Sequence, residues 1–195
     1  MSEATPITRG RSGHGSHGFS LVELMVVIAI AGVVMAVSVP AYLSYLPRIR
    51  LREAAREIGS DMQYIKVQAI KTNTTTAVLF NPAGTYQVIT DSGEAAGSEN
   101  WTDGGEVVRK TVTLSDFKGV SYGSTASTLR PGDTITPVSG VTFNNNVVMF
   151  TNRATSNSGT VYIRNEKGDT MAVGVTAASG RVKTWYNYGG GWKDR

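Results

Sequence analysis

Gly18-Phe19-Ser20-Leu21-Val22-Glu23 leads directly into an apolar stretch that runs to Pro47. No side chain between Leu24 and Pro47 is charged, and about 18 or more such residues let a helix cross the ~30 Å hydrocarbon core of a bilayer. One transmembrane helix is therefore predicted. Glu23 stands apart within it. An acid at the bilayer centre costs roughly 2.5–3.5 kcal/mol on insertion scales, and such groups are kept for a function and a partner.

On the amino-terminal side, residues 1–18 are polar, rich in Gly, Ser and His, and carry Arg9 and Arg11 against Glu3. They contain no apolar run. A secretory signal peptide has its hydrophobic stretch ahead of the cleavage site and loses it, whereas here the small residue Gly18 precedes that stretch. Cleavage after Gly18 would keep the span in the mature chain. A residue without Cβ also suits a narrow, extended subsite before a scissile bond.

That processing step bounds the chemistry. The two histidines, His14 and His17, both lie ahead of Gly18, and the chain has no cysteine. Histidine-dependent triads, cysteine nucleophiles and His or Cys metal sites are thereby excluded after cleavage. There is no phosphate-binding glycine loop and no dinucleotide fingerprint. No catalytic residue, metal or cofactor is assigned, and the chain reads as a non-enzyme. With no cysteine, no disulfide can staple the outer domain, so its stability rests on packing. Residues 1–18 carry Arg9, Arg11 and Glu3 of the 19 basic and 15 acidic residues, so the remainder keeps a small positive charge. That balance permits an anionic partner without demanding one.

Past the span, Leu51, Ala55, Ile58, Met62, Ile65 and Ala69 alternate at spacings of four and three, one face of an α-helix. Arg52, Glu53, Arg56, Glu57 and Lys66 fall mostly off that stripe. A single helix from about Ser20 to about Lys71 is expected, its first half in lipid and its second half packed on a sheet. The pattern is too short for a free coiled coil. Pro40 removes one backbone hydrogen bond inside the helix, so a kink or an unwound turn is expected there, and Pro47 could add a second bend.

From Thr74 the texture changes to short β-like runs. Ala77–Phe80 and Thr85–Ile89 flank Asn81-Pro82-Ala83-Gly84, a hairpin signal. Further strands are expected at Val107–Leu114, Gly119–Tyr122, Val141–Phe143, Val147–Phe150, Thr160–Arg164, Thr170–Thr176 and Arg181–Tyr188. Asp91–Gly105 and Ser124–Gly140 read as loops. The acids Asp91, Glu94, Glu99 and Asp103 do not match a calcium-binding loop in their spacing, and a solvated loop is the expectation.

In a strand from Arg181, alternation puts Arg181, Lys183, Trp185 and Asn187 on one face and Val182, Thr184, Tyr186 and Tyr188 on the other. Cations beside an indole are the elements of a nucleic-acid surface, charge for phosphate and a ring for stacking. Arg181, Lys183 and Trp185 are thus candidate DNA-binding residues, against the plainer reading of a solvated strand face.

Gly18-Phe19-Ser20-Leu21-Val22-Glu23 with its apolar helix resembles the class III signal of type IV prepilins and type II secretion pseudopilins. Val141-Thr142-Phe143, Gly159-Thr160-Val161-Tyr162-Ile163, Gly168 and Gly180-Arg181-Val182-Lys183 resemble the GspH/FimT group of minor pilins and pseudopilins. The resemblance implies an α+β, pilin-like fold, with a long N-terminal transmembrane helix continuing into an amphipathic helix packed on a C-terminal antiparallel β-sheet domain. Its expected divisions are a cleaved leader at 1–18, a transmembrane and assembly helix at 19–47, the amphipathic second half at 48–71 and a periplasmic or extracellular β-rich domain at 72–195. It implies cleavage between Gly18 and Phe19 by a prepilin peptidase and N-methylation of Phe19 by a methyltransferase. It implies pairing of Glu23 with the methylated amine of a neighbouring subunit, in preference to Glu23 merely reaching the headgroups at the end of the span. It also implies a curved or partly melted helix near Pro40 when subunits pack. The expected partners are other pilin or pseudopilin subunits, the peptidase/methyltransferase and the inner membrane. The expected function is a minor pilin or pseudopilin that initiates or caps a pilus or pseudopilus. The alternative is a minor pilin that binds DNA during uptake. Some family members bind DNA through Gly-Arg-x-Arg, where this chain has Gly180-Arg181-Val182-Lys183, and Lys lacks the planar fork of Arg.

Orientation separates the two lines of reasoning. Arg9 and Arg11 precede the span, and Arg48, Arg50, Arg52 and Arg56 follow it, so a bare positive-inside count puts the amino terminus outside. The resemblance implies the reverse, with the amino terminus cytoplasmic and the C-terminal domain in the periplasm, and that orientation is the expectation retained.

Overall fold

The computed structural model describes residues 19–90, 101, 106–126, 129–130, 133 and 140–194. Its first and longest element is α1 (Leu21–Thr72), assigned as helix without a break through Pro40 and Pro47. An unwound turn at Pro40 is therefore not seen. The helix ends where Asn73 takes a left-handed conformation, φ 56°. Thr74 N–H then closes on the Ala69 carbonyl at 3.2 Å, a C-terminal arrangement that asparagine tolerates better than most residues. The chain divides into two compact units, Met1–Tyr42 and Leu43–Arg195.

In the second unit the chain forms nine strands among the described residues: β1 (Thr76–Asn81), β2 (Thr85–Thr90), β3 (Val107–Thr113), β4 (Val120–Tyr122), β5 (Val147–Phe150), β6 (Gly159–Asn165), β7 (Thr170–Thr176), β8 (Arg181–Asn187) and β9 (Lys193–Asp194). They make two antiparallel sheets, β3-β2-β1-β5 and β4-β6-β7-β8-β9. The expected hairpin at Asn81–Gly84 is present, with Asn81 opposite Thr85. Gly84 at φ 101° donates its N–H to the Asn81 carbonyl at 3.0 Å, and the Asn81 side chain accepts from Ala83 N–H at 2.9 Å. An L-residue with a Cβ would be strained there.

The predicted stripe Leu51, Ala55, Ile58, Met62, Ile65 and Ala69 is at most 1 % exposed. It belongs to one core with Val78, Phe80, Tyr86, Val88, Val148 and Phe150 of the first sheet and Val161, Ile163, Met171, Val173 and Val175 of the second. The alternate residues of several strands are also covered. Ala77, Ile89 and Val147 lie against Trp101, and Tyr162, Ala172 and Trp185 against Leu129 and Trp192. Trp101 is 5 % exposed, which corrects the expectation that all of Asp91–Gly105 is an exposed loop; the acids Asp91, Glu94, Glu99 and Asp103 lie outside the described residues.

Two further expectations change. Val141–Phe143 is not a strand: Val141 makes an isolated bridge with Val161. Phe143 instead stacks on Phe80 with ring centroids 6.1 Å apart and an 11° interplanar angle. Tyr122, from the other sheet, meets Phe80 edge-on at 6.4 Å. This aromatic group joins the sheets, and it needs glycine at 159, where a Cβ would stand 2.4 Å from the Phe143 ring. The short strand β9 was not foreseen.

Candidate functional site

The first candidate region is the start of α1. Leu24 N–H bonds the Ser20 carbonyl at 3.1 Å, so Glu23 sits in the first helical turn. There a carboxylate faces the positive end of the helix dipole, a placement worth about 0.3–1 kcal/mol at an exposed site. Phe19 is 81 % exposed. Gly18, the other residue of the predicted cleavage site, lies outside the described residues. The large apolar side chains from Leu21 to Tyr42 are 52–72 % exposed, and α1 contains the one helix stretch, among the described residues, apolar and long enough to cross a membrane. Each such side chain gains roughly 1.5–3 kcal/mol when fully buried. A surface of this kind needs lipid or other helices around it.

The second region is built on the outer half of α1, where its charged flanks are held by the two sheets. Arg48 forks onto Asp169, Nε to Oδ2 at 2.9 Å and a terminal nitrogen to Oδ1 at 3.1 Å. Asn165 Nδ2 donates to the same carboxylate at 3.0 Å. Burial alone would raise the Asp169 carboxyl, but the hydrogen bonds from Arg48 and Asn165 outweigh it and hold the group below the usual carboxylate range. The Arg48 and Arg52 guanidinium groups lie 5.0 Å and 5.6 Å from the centre of the Tyr188 ring, and Arg52 Nε donates to Tyr188 Oη at 3.0 Å. On the first sheet, Lys110 Nζ donates to Glu57 and, at 2.9 Å, to both oxygens of Asp61. Buried Tyr86 donates its hydroxyl to Asp61 at 2.7 Å, and burial followed by that bond pushes the phenol far up. Burial pulls Lys110 down, but its carboxylate partners outweigh this and raise it. Near the end of α1, Lys66 Nζ donates to the Ser179 and Gly180 carbonyls at 3.0 Å and 3.1 Å.

The third region is the β8 face. Arg181 is exposed. Lys183 Nζ stands 4.0 Å from Asp194 of β9. Trp185, however, is only 9 % exposed, and the Arg130 guanidinium lies 4.3 Å from its ring centre. Arg130 pairs with Asp133 at 2.9 Å and donates to Thr160 Oγ1 at 2.7 Å. Tyr162 donates to the other Asp133 oxygen at 2.5 Å, and Trp192 meets Tyr162 edge-on at 5.7 Å. The described residues of the 124–140 segment thus dock on the sheet. Arg181 and Lys183 both lie on β8, two residues apart, but the arrangement gives a base little open indole on which to stack. Sequence reasoning missed Arg130 and Asp133. An Arg-Pro-Gly-Asp run inside a supposed loop was the only signal. Among the described residues no group of His, Cys, Asp and Glu could hold a metal ion.

Known proteins resemble this chain in the same two parts. Residues 13–39 match the family model of the prokaryotic N-terminal methylation motif, and residues 54–181 match that of the type II transport protein GspH. The fimbrial protein EcpC of Eikenella corrodens is 48 % identical over 42 residues, 22 % of this chain and 28 % of that protein. The type IV major pilin protein PilE1 of Neisseria gonorrhoeae is 54 % identical over 37 residues, 19 % of this chain and 22 % of the pilin. The matches thus span about a quarter of these relatives' length. Among solved structures, the minor pseudopilin EpsH from the type 2 secretion system of Vibrio cholerae aligns with a TM-score of 0.46 and 10 % identity, over 69 % of this chain and 95 % of that one.

Proposed function

This chain belongs to the GspH family of type II transport proteins, and we propose that it is a minor pilin or pseudopilin, a structural subunit that a prepilin peptidase cuts between Gly18 and Phe19. Phe19 becomes the N-methylated terminus. The segment to Pro47 anchors the subunit in the inner membrane, amino terminus cytoplasmic and outer domain periplasmic, until neighbouring subunits replace lipid around it. The observation that carries this reading is the exposed apolar face of α1 with Glu23 as its one acid. Pairing Glu23 with the Phe19 amine of a neighbour removes two charges from lipid at once, so only a correctly registered subunit is stable in the filament. Pro40, which lacks the N–H that a helix would use, is where α1 bends in the assembled state.

The proposal is tested in cells that assemble the filament. Glu23→Ala should still be cleaved and should stay in the membrane fraction, but should be absent from sheared filaments. Incorporation at the normal level would sink the assembly role.

A further inference from the structure

Where α1 leaves its charge-free run, the second unit builds a small polar cleft. Ser44, Tyr45, Arg48 and Lys167 line a cavity of about 230 Å³. Lys167 comes from the turn between β6 and β7, 123 residues from Ser44 along the chain, yet its Nζ donates to the Ser44 carbonyl at 2.8 Å. An ammonium group has three donors, so this bond leaves two. Arg48 gives Nε and one terminal nitrogen to Asp169, which leaves its second terminal nitrogen outside that fork. Two cations and one nearby carboxylate give the cleft a net positive charge. Tyr42 and Tyr45 precede it with 62 % and 61 % of their surface exposed. Tyrosines followed by Arg and Lys are the side chains that settle at the headgroup level of a bilayer.

We propose that this cleft holds the headgroup phosphate of an anionic glycerophospholipid, gripped by Lys167 and Arg48 with Tyr45 at its side. The inference rests on the reading that α1 lies in lipid up to Pro47. On that reading Ser44 and Arg48 reach the interface just where lipid phosphates lie. The cleft then fixes the depth and rotation of the outer domain at the membrane surface while the subunit waits to be assembled. Lys167 is exposed, so it can be changed without touching the core.

The test uses the full chain extracted in mild detergent and followed by native mass spectrometry during titration with phosphatidylglycerol, phosphatidylcholine or inorganic phosphate. The wild type should take up one phosphatidylglycerol, and Lys167→Ala should bind it about fivefold more weakly, the equivalent of the ~1 kcal/mol one cation contributes near an anionic surface. Lys71→Ala, which removes an exposed cation at the far end of α1, should bind as the wild type does. Equal weakening by both variants, no weakening by Lys167→Ala, or equal uptake of phosphatidylcholine would overturn the site. So would uptake of inorganic phosphate without lipid. Flotation with vesicles addresses the underlying reading separately: wild type and Lys167→Ala should both float, and a wild-type chain that stays in solution would remove the membrane anchor itself.

Discussion

The two halves of α1 share a backbone conformation and differ in almost everything else. From Leu21 to Tyr42 the large apolar side chains surround the helix and stay exposed, while Leu51, Ala55, Ile58, Met62, Ile65 and Ala69 form one stripe that is at most 1 % exposed. A helix that is apolar all round is suited to lipid or to a bundle, and a stripe is suited to the face of a sheet. The charges follow the same division. The first half keeps Glu23 alone, and the second carries Arg48, Arg52, Glu57, Asp61 and Lys66, held by Asp169, Tyr188, Lys110 and the Ser179 and Gly180 carbonyls. One helix thus leaves its apolar surface exposed along one half and commits it to an intramolecular core along the other.

Core truncation probes this contrast most strongly. Ile58→Ala and Ile65→Ala should each destabilise the outer domain by about 2–5 kcal/mol. Val33→Ala, in the exposed half, should leave thermal unfolding of that domain within about 0.5 kcal/mol of wild type. Equal losses at Ile58 and Val33 would erase the distinction between the halves.

A smaller effect is expected at the Arg48–Asp169 fork. Asp169→Asn leaves Arg48 without its carboxylate and should cost about 1.5–3 kcal/mol, the range for hydrogen bonds to charged groups. The sign of its pH dependence follows from the lowered folded pKa. The ionised Asp169 contributes stability above its ordinary value of 3.8, and that contribution is lost as pH falls through 3.8 toward the folded value. Denaturant titrations at pH 6 and pH 3 should therefore show wild type losing its advantage over Asp169→Asn at the acid end. An advantage unchanged at pH 3 would show that the fork does not depend on an Asp169 carboxylate held below its ordinary range. The smallest effect belongs to Lys183, whose exposed pair with Asp194 should contribute under about 1 kcal/mol. Lys183→Ala should unfold almost with the wild type, and a larger loss would mean that the β8–β9 edge is structural.

Legibility in the sequence follows how local each cause is. The end of α1 near residue 72, the turn at Asn81–Gly84 and most strands in the outer domain follow from periodicity and turn chemistry within a few residues. Trp185 shows the limit. Alternation along β8 correctly grouped it with Arg181 and Lys183, but Arg130, 55 residues earlier, is what lies over its ring. Trp101 failed in the same way: a tryptophan in a polar, glycine-rich segment reads as loop, yet it covers Ala77, Ile89 and Val147. Val141–Phe143 has strand-like residues, but Phe143 is drawn to Phe80 and only one bridge forms. Each time, a contact between distant segments overrode a local preference.

Residues 14–47 were enough to read the apolar span, its lone acid and the placement of both histidines ahead of Gly18, because hydrophobicity and motif spacing are properties of consecutive residues. Which charged side chain meets which, and which strand face is covered, came from the folded domain alone. Lys167 reaches Ser44 and Arg48 reaches Asp169 across more than a hundred residues, and no periodicity encodes a pairing that exists only once two sheets have closed around a helix.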